Sequence, residues 1–246
     1  MTINQIRIAN NRAIRRYEMF GTKLFRRALE EQAINPNPLI MNQAYIEFYQ
    51  YVFVDSASRE YNSIRKREMA TKAAIDSFFL STWREWIKQW VNNNMLEVIA
   101  GVNTRTFEKI REITAQGIED GLNPSQLAKQ LKKLIGSKAR ALAIAKTEGT
   151  AANNMGTERS AEDWQIQTGT RLYKIWIHSG NNKEPRISHL LAEGKPIPKE
   201  ERFIIDDARM LYPGDKSAPV GQLVNCLCTT VYLSERLARK RYPDSF

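Results

Sequence analysis

Histidine and cysteine are scarce in this chain, with two of each among 246 residues. That scarcity excludes a disulfide-built scaffold and leaves few groups for general-base chemistry near neutral pH. The two cysteines, Cys226 and Cys228, stand one residue apart. On a strand this spacing separates their Cα atoms by roughly 6.5–7 Å, at the limit for a disulfide, so a reducing compartment is expected rather than secretion. Long hydrophobic runs are missing too. The apolar stretch 141–145 is far too short for a bilayer. Residues 1–4 contain no apolar signal core, so neither export nor targeting is expected. There is no internal repeat, no phosphate loop, no nucleophile elbow, no paired-histidine zinc-protease helix and no dinucleotide fingerprint, and the chain is not expected to be an enzyme.

Positive charge is abundant. Thirty-seven Lys and Arg face 27 Asp and Glu, a net charge of +10, which favours an acidic partner, nucleic acid being the commonest. The excess is uneven. Residues 1–33 read as a basic amphipathic helix, with Ile3, Ile6, Ile14, Tyr17, Leu24 and Leu29 on an approximate stripe and Arg12, Arg15 and Arg16 among the intervening cations. Such a face fits DNA, a membrane surface or an acidic helix, and equally a merely solvated surface. Residues 121–147 carry six basic residues and no acidic one, with Lys129, Lys132, Lys133, Lys138 and Arg140 as candidate phosphate contacts.

The fold expected is α+β, a mostly helical N-terminal region (1–135) followed by a small α+β module (136–233) and a basic tail helix (234–246). Asn35-Pro36-Asn37-Pro38 breaks the first helix from a second helical region over about 39–102. That region holds aromatic groups: Tyr45, Phe48 and Tyr49, then Phe78, Phe79, Trp83, Trp86 and Trp90. The last three share a helix face and read as core or as a docking surface. A third helix is expected over 104–119 and a fourth over 125–135, with Leu127, Leu131 and Leu134 on its apolar side. After about Trp164 the pattern changes. Residues 171–177 read as a strand, 179–182 as a turn, 203–205 as a short strand, and 224–233 as a final strand bearing both cysteines.

Two constellations carry possible chemistry. His178, His189, Cys226 and Cys228 include every His and Cys of the chain, and two imidazoles with two thiolates suffice for tetrahedral zinc. Paired cysteines in structural zinc sites are usually two to four residues apart, so the single-residue spacing favours a packed core, with no metal and no other cofactor. Glu148, Arg186 and His189 form a second set. As a nuclease or ADP-ribosyl-transfer site they would supply a base and a phosphate-binding cation; read structurally they give a buried ion pair and a hydrogen-bonded histidine, which is preferred because nothing fixes a nucleophile.

Several short motifs follow one another at consistent spacing. They are Lys138-Ala-Arg140-Ala-Leu-Ala-Ile-Ala-Lys146-Thr147-Glu148 with Asn154 and Gly156, Lys174-Ile-Trp176, Arg186-Ile-Ser-His189, Gly194, and Asn225-Cys226-Leu-Cys228. In this order they resemble the phage Mu F-like minor head protein family, the phage head morphogenesis family, over about residues 136–232. The chain departs from the family pattern at Lys146 and Leu227, where the family has Arg, and at Asn181, Asn182 and Glu184, where an Asp is usual before the Arg-x-x-His element. These departures count against a strict active site and leave structural roles open to Arg140, Thr147, Glu148, Asn154, Trp176, Arg186, His189, Cys226 and Cys228.

The resemblance implies a minor protein of a tailed double-stranded DNA phage, located inside the capsid and, during assembly, in the bacterial host cytoplasm. It implies partners among portal, capsid and scaffold proteins, non-specific contact with duplex DNA, and a part in genome ejection. Two other classes remain. A toxin-like nuclease or transferase would be expected to carry a further domain after residue 232, where about 14 residues follow. A DNA-binding regulator would be expected to show a helix-turn-helix, and none is evident.

Overall fold

Proline, glycine and asparagine punctuate the helical part. In the computed structural model, which describes residues 2–68, 77–180 and 185–246 and the side chains of all of these but 77–79 and 96, α1 (Ile3–Ile34) ends at the Asn35–Pro38 break and α2 (Pro38–Arg67) begins on its second proline. Next come α3 (Ser77–Asn94) and α4 (Leu96–Glu119). The helix expected from residue 104 therefore starts eight residues earlier. Asn103, just before the expected start, is buried inside the helix and accepts a 2.5 Å hydrogen bond from Gln32. Gly121 stops α4 in the left-handed region at φ +68°, where only glycine is unstrained. Asn123 and Gln126 then form a reciprocal capping box on α5 (Pro124–Ile135). Ser137 accepts the Arg140 amide at 3.3 Å and caps α6 (Lys138–Thr168).

The remainder is short elements: β1 (Leu172–Ile177), α7 (Ile187–Leu191), β2 (Pro196–Pro198), β3 (Phe203–Ile205), β4 (Ala208–Met210), α8 (Val220–Leu223), β5 (Thr229–Ser234) and α9 (Glu235–Arg241), with a final 3-10 turn at Pro243–Ser245. The chain is thus α+β, as expected. Phe78 and Phe79 lie outside the described side chains, and Asn181, Asn182 and Glu184 outside the described residues. The final strand begins five residues later than the 224–233 reading. Asn225 takes φ +55° and turns the chain, so Cys226 and Cys228 sit in the irregular segment that enters β5 rather than on the strand.

Two compact units share the chain. One comprises Met1–Arg16, Tyr51–Trp83 and Lys146–Phe246; the other comprises Tyr17–Gln50 and Arg84–Ala145. The first is built on an antiparallel sheet of order β2-β1-β5 beside a β3-β4 hairpin. Strand β1 alternates as a strand must, yet both its faces are buried. Tyr173, Ile175 and Ile177 join Val231, Leu233, Ile6 and Ala238 on one side. On the other, Trp176 packs with Phe203, Met210, Leu223, Cys226 and Cys228. Lys174 is therefore fully buried. Its Nζ donates to the Leu211 carbonyl at 2.8 Å and lies 3.9 Å from Glu158, which also pairs with Lys199 at 3.0 Å and accepts the Tyr232 hydroxyl at 2.5 Å. Gly156 lets α6 lie against α2: a Cβ there would collide with the Ser56 side chain and stand 2.6 Å from the Phe53 carbonyl oxygen.

The second unit is helical and aromatic. Phe25 packs against Tyr45 and Phe48 at 5.1 Å between ring centroids, and Tyr49 stacks on Trp90 at 5.8 Å. Tyr45, Phe48 and Tyr49 are all fully buried, so this aromatic group is core. Of the tryptophan stripe on α3, Trp83 is buried and donates to Asp163 at 2.7 Å within the sheet-bearing unit, while Trp86 and Trp90 are half-buried. On α5 the inward residues are Leu131 and Ile135. Leu134, expected inside, is exposed, because the i, i+4 step from Leu131 reaches Ile135.

Candidate functional site

Sequence-distant motif residues meet in the sheet-bearing unit around the exit of β1. His189, on α7, places Nδ1 3.7 Å from Cys226 Sγ and 3.6 Å from Cys228 Sγ. All three side chains are buried, and their ligand atoms lie within 4.8 Å of one another. The ring's other nitrogen, Nε2, is 2.8 Å from Gln222 Oε1. The Gln222 amide is itself oriented, since its Nε2 donates to the Asp206 carboxylate at 2.9 Å. An oxygen therefore faces His189, Nε2 carries the proton, and the Nδ1 lone pair points at the sulfurs. The Trp176 indole packs against the imidazole at 5.2 Å between ring centroids, the planes 75° apart.

The two thiols titrate apart. The hydrogen bond with Cys228 holds Cys226 well below its ordinary value against the opposing effect of burial, helped by His189. Cys226 and burial push Cys228 up. His178, the fourth member of the set, lies outside the three-residue cluster. Burial lowers its pKa, and Cys226 and His189 are close enough to act on it electrostatically. Its Nδ1 accepts the Gly180 amide at 3.1 Å, and its buried Nε2 has no hydrogen-bond partner among the described residues. Residues 178–179 are held from α1: Arg7 Nε donates to the His178 carbonyl at 2.8 Å and pairs with Glu193, and Asn11 donates to the Ser179 carbonyl at 3.1 Å.

The second constellation does not assemble. Glu148 is buried and paired with Lys216 at 2.8 Å, Arg186 donates to the Val224 carbonyl at 2.8 Å, and His189 turns to Gln222. Thr147 is half-buried on α6. Asn154 is the polar centre of the unit. Fully buried, its Nδ2 donates to the carbonyls of Cys228 and Pro213, both at 2.9 Å, and of Thr150 at 3.1 Å, while its Oδ1 accepts from Thr229 Oγ1 at 3.0 Å and the Thr230 amide at 3.2 Å. Thr150 adds a 2.7 Å bond to the Cys226 carbonyl. Helix α6 thereby fixes the backbone from which both cysteines project.

The cationic candidates divide. Lys129, Lys132, Lys133 and Lys138 are exposed, as are Arg12, Arg15 and Arg16, the last 3.3 Å from Asp55. Arg140 is half-buried and committed to α4, donating to Thr106 Oγ1 at 2.8 Å and the Val102 carbonyl at 3.3 Å; burial, then Arg105, lowers its pKa. No helix among the described residues is long and apolar enough to cross a membrane.

Gln222, Asp206 and Lys216 escaped the sequence reading. Each stands in the loop-rich 194–222 stretch, where no periodicity marks a side chain as facing a site.

Comparison with curated proteins and with solved structures finds no match to this chain. The family model described as Phage Mu protein F like protein matches residues 108–231, half of the chain, and takes in Glu148, Asn154, His189 and both cysteines. The chain therefore belongs to the Phage Mu protein F like family, a family of phage head morphogenesis proteins.

Proposed function

We propose that the protein is a minor, capsid-internal head protein that binds duplex DNA without sequence preference and associates with the portal during head assembly, with a part in genome ejection. The observation that carries the DNA contact is the exposed lysine face of α5 and the start of α6. Lys129, Lys132, Lys133 and Lys138 project to solvent from a stretch with no acidic residue, and α5 buries Leu131 and Ile135 on its other side. Exposed lysines suit phosphate, and their yield in affinity comes from released counterions; Glu30 and Glu31 of α1 lie beside Lys132, so Lys129, Lys133 and Lys138 carry more of the contact. Portal association and ejection rest on the role of the family in the head. A structural rather than enzymatic part is supported by Glu148, Arg186 and His189, which are bound to separate partners.

Duplex affinity measured at about 50 and 200 mM salt tests the DNA reading, with a fall of at least tenfold expected. A flat salt response, or no binding at the lower salt, overturns it. Co-purification with portal-containing particles tests the second part, and absence from those particles overturns it.

A further inference from the structure

The single-residue spacing of the cysteines counts against a metal, and a place on one strand would add to that by turning both side chains into a core. The structure removes the strand, because Asn225 turns the chain and the pair enters β5 from an irregular segment pinned by Thr150 and Asn154, and there the distances rather than the spacing decide. Tetrahedral zinc, with bonds of about 2.3 Å to sulfur and 2.0–2.1 Å to nitrogen, places a ligating nitrogen roughly 3.6 Å from each ligating sulfur. His189 Nδ1 stands 3.7 and 3.6 Å from the two sulfurs. One lone pair aimed between two equidistant thiols is a poor hydrogen-bonding arrangement, since it can accept well from only one of them.

We propose that His189 Nδ1, Cys226 Sγ and Cys228 Sγ bind a zinc ion, that His178 supplies the fourth ligand, and that Gln222 is the positioning residue that holds His189 in its ligating tautomer.

The surroundings suit a metal-thiolate centre. Binding displaces the two thiol protons to solvent. Two thiolates then neutralise the dication, so the buried site carries no net charge. The chain of Asp206, Gln222 and His189 is the outer support that metal-binding histidines ordinarily have, an acceptor on the non-ligating nitrogen. The burial of all three clustered side chains means a closed, structural site, and closed sites take four protein ligands. His178 is the one remaining His or Cys in the sequence, and it is buried with a nitrogen that has no partner among the described residues. Zinc there would tie α7, the exit of β1 and the entry to β5 at a point where the sheet-bearing unit has only short elements.

The test uses the full-length chain, purified without a histidine tag or chelator. Elemental analysis is expected to give about one zinc per chain. After metal removal under reducing conditions, cobalt(II) is expected to produce thiolate-to-cobalt charge-transfer absorption together with the intense visible bands of a tetrahedral site. Gln222→Leu is expected to bind zinc 10–100-fold more weakly at unchanged stoichiometry, and His178→Ala to weaken binding at least as much and shift the cobalt bands. Because Cys226→Ser and Cys228→Ser chains could fail to fold, the cobalt titration of the unaltered chain decides independently of them. Absence of zinc together with absence of a charge-transfer band overturns the site, as does zinc retained by a folded Cys226→Ser/Cys228→Ser chain. Wild-type affinity and spectrum in His178→Ala overturns the assignment of the fourth ligand.

Discussion

In the helical unit the buried space is filled by Phe25, Tyr45, Phe48 and Tyr49, with Gln32 and Asn103 as a buried polar pair. In the sheet-bearing unit it is shared among Trp83, Trp164 and Trp176 and a set of polar groups: Asn154, Glu148, Lys174, His178 and His189. The difference is one of specificity. Apolar side chains of similar volume exchange at modest cost, because dispersion and burial have no direction. A buried amide or ammonium has partners at fixed angles, and its loss strands all of them. The helical unit is held by volume and the sheet-bearing unit also by geometry. Short strands and loops need that geometry, because they satisfy few of their own backbone groups.

The sharpest way to break this comparison is to exchange one residue in each unit. Asn154→Leu should cost about 4 kcal/mol in denaturant unfolding, since it leaves the Thr230 amide and the Cys228 and Pro213 carbonyls buried without their partner. Phe48→Leu, which keeps an apolar side chain in the helical core, should cost about 1.5 kcal/mol. Equal losses would show that the polar centre is no more specific than the aromatic one.

A smaller effect separates charge from shape. Burial, opposed by Glu158, lowers the Lys174 ammonium to about 8 from the ordinary lysine value. From about pH 8 upward the unfolded chain holds this proton more firmly than the folded one, so the contribution of Lys174 to stability rises with pH. Unfolding followed from pH 8 to 10 should show a gain approaching 3 kcal/mol at most in the wild type, and a flatter profile in Lys174→Met. Above that range Tyr212 and Tyr232, whose pKa values burial raises, reverse the trend as the unfolded chain loses their protons first. An identical profile in the variant would remove Lys174 as the cause.

The smallest expected effect on the fold lies on α5. Replacing Lys129, Lys132 and Lys133 with Ala should change stability by less than about 0.5 kcal/mol, as they are exposed, yet lower the slope of log affinity for DNA against log salt by about one per lysine removed. A folded variant with an unchanged slope would move the DNA contact elsewhere.

The helix breaks were legible because they depend on single residues with local rules. Pro38 opens α2, Gly121 closes α4, and Asn123 with Pro124 starts α5. Leu134 is exposed although the stripe puts it inside, because a helical stripe offers either an i+3 or an i+4 step, and the packing partner chooses Ile135. The tryptophan stripe divides for a similar reason, Trp83 being core and Trp86 and Trp90 half-buried: periodicity locates an apolar face but not what covers it. The motif residues of the candidate site could be named from the sequence, whereas Gln222 and Asp206 could not. Their part depends on the contact of α8 with α7 and the β3-β4 turn, which no local pattern encodes.

The discontinuous make-up of the sheet-bearing unit bears on synthesis. Its first segment leaves the ribosome with residues 1–16, and its last strand, β5, only after residue 229. Ile6 must wait for Val231 and Leu233 before its hydrophobic face is covered, and Asn154 waits for Thr229 and Thr230. The helical unit needs nothing beyond Ala145. A nascent chain can thus finish one core while the other is still an open set of apolar and polar surfaces, a window in which a chaperone or an assembly partner would find the chain half folded.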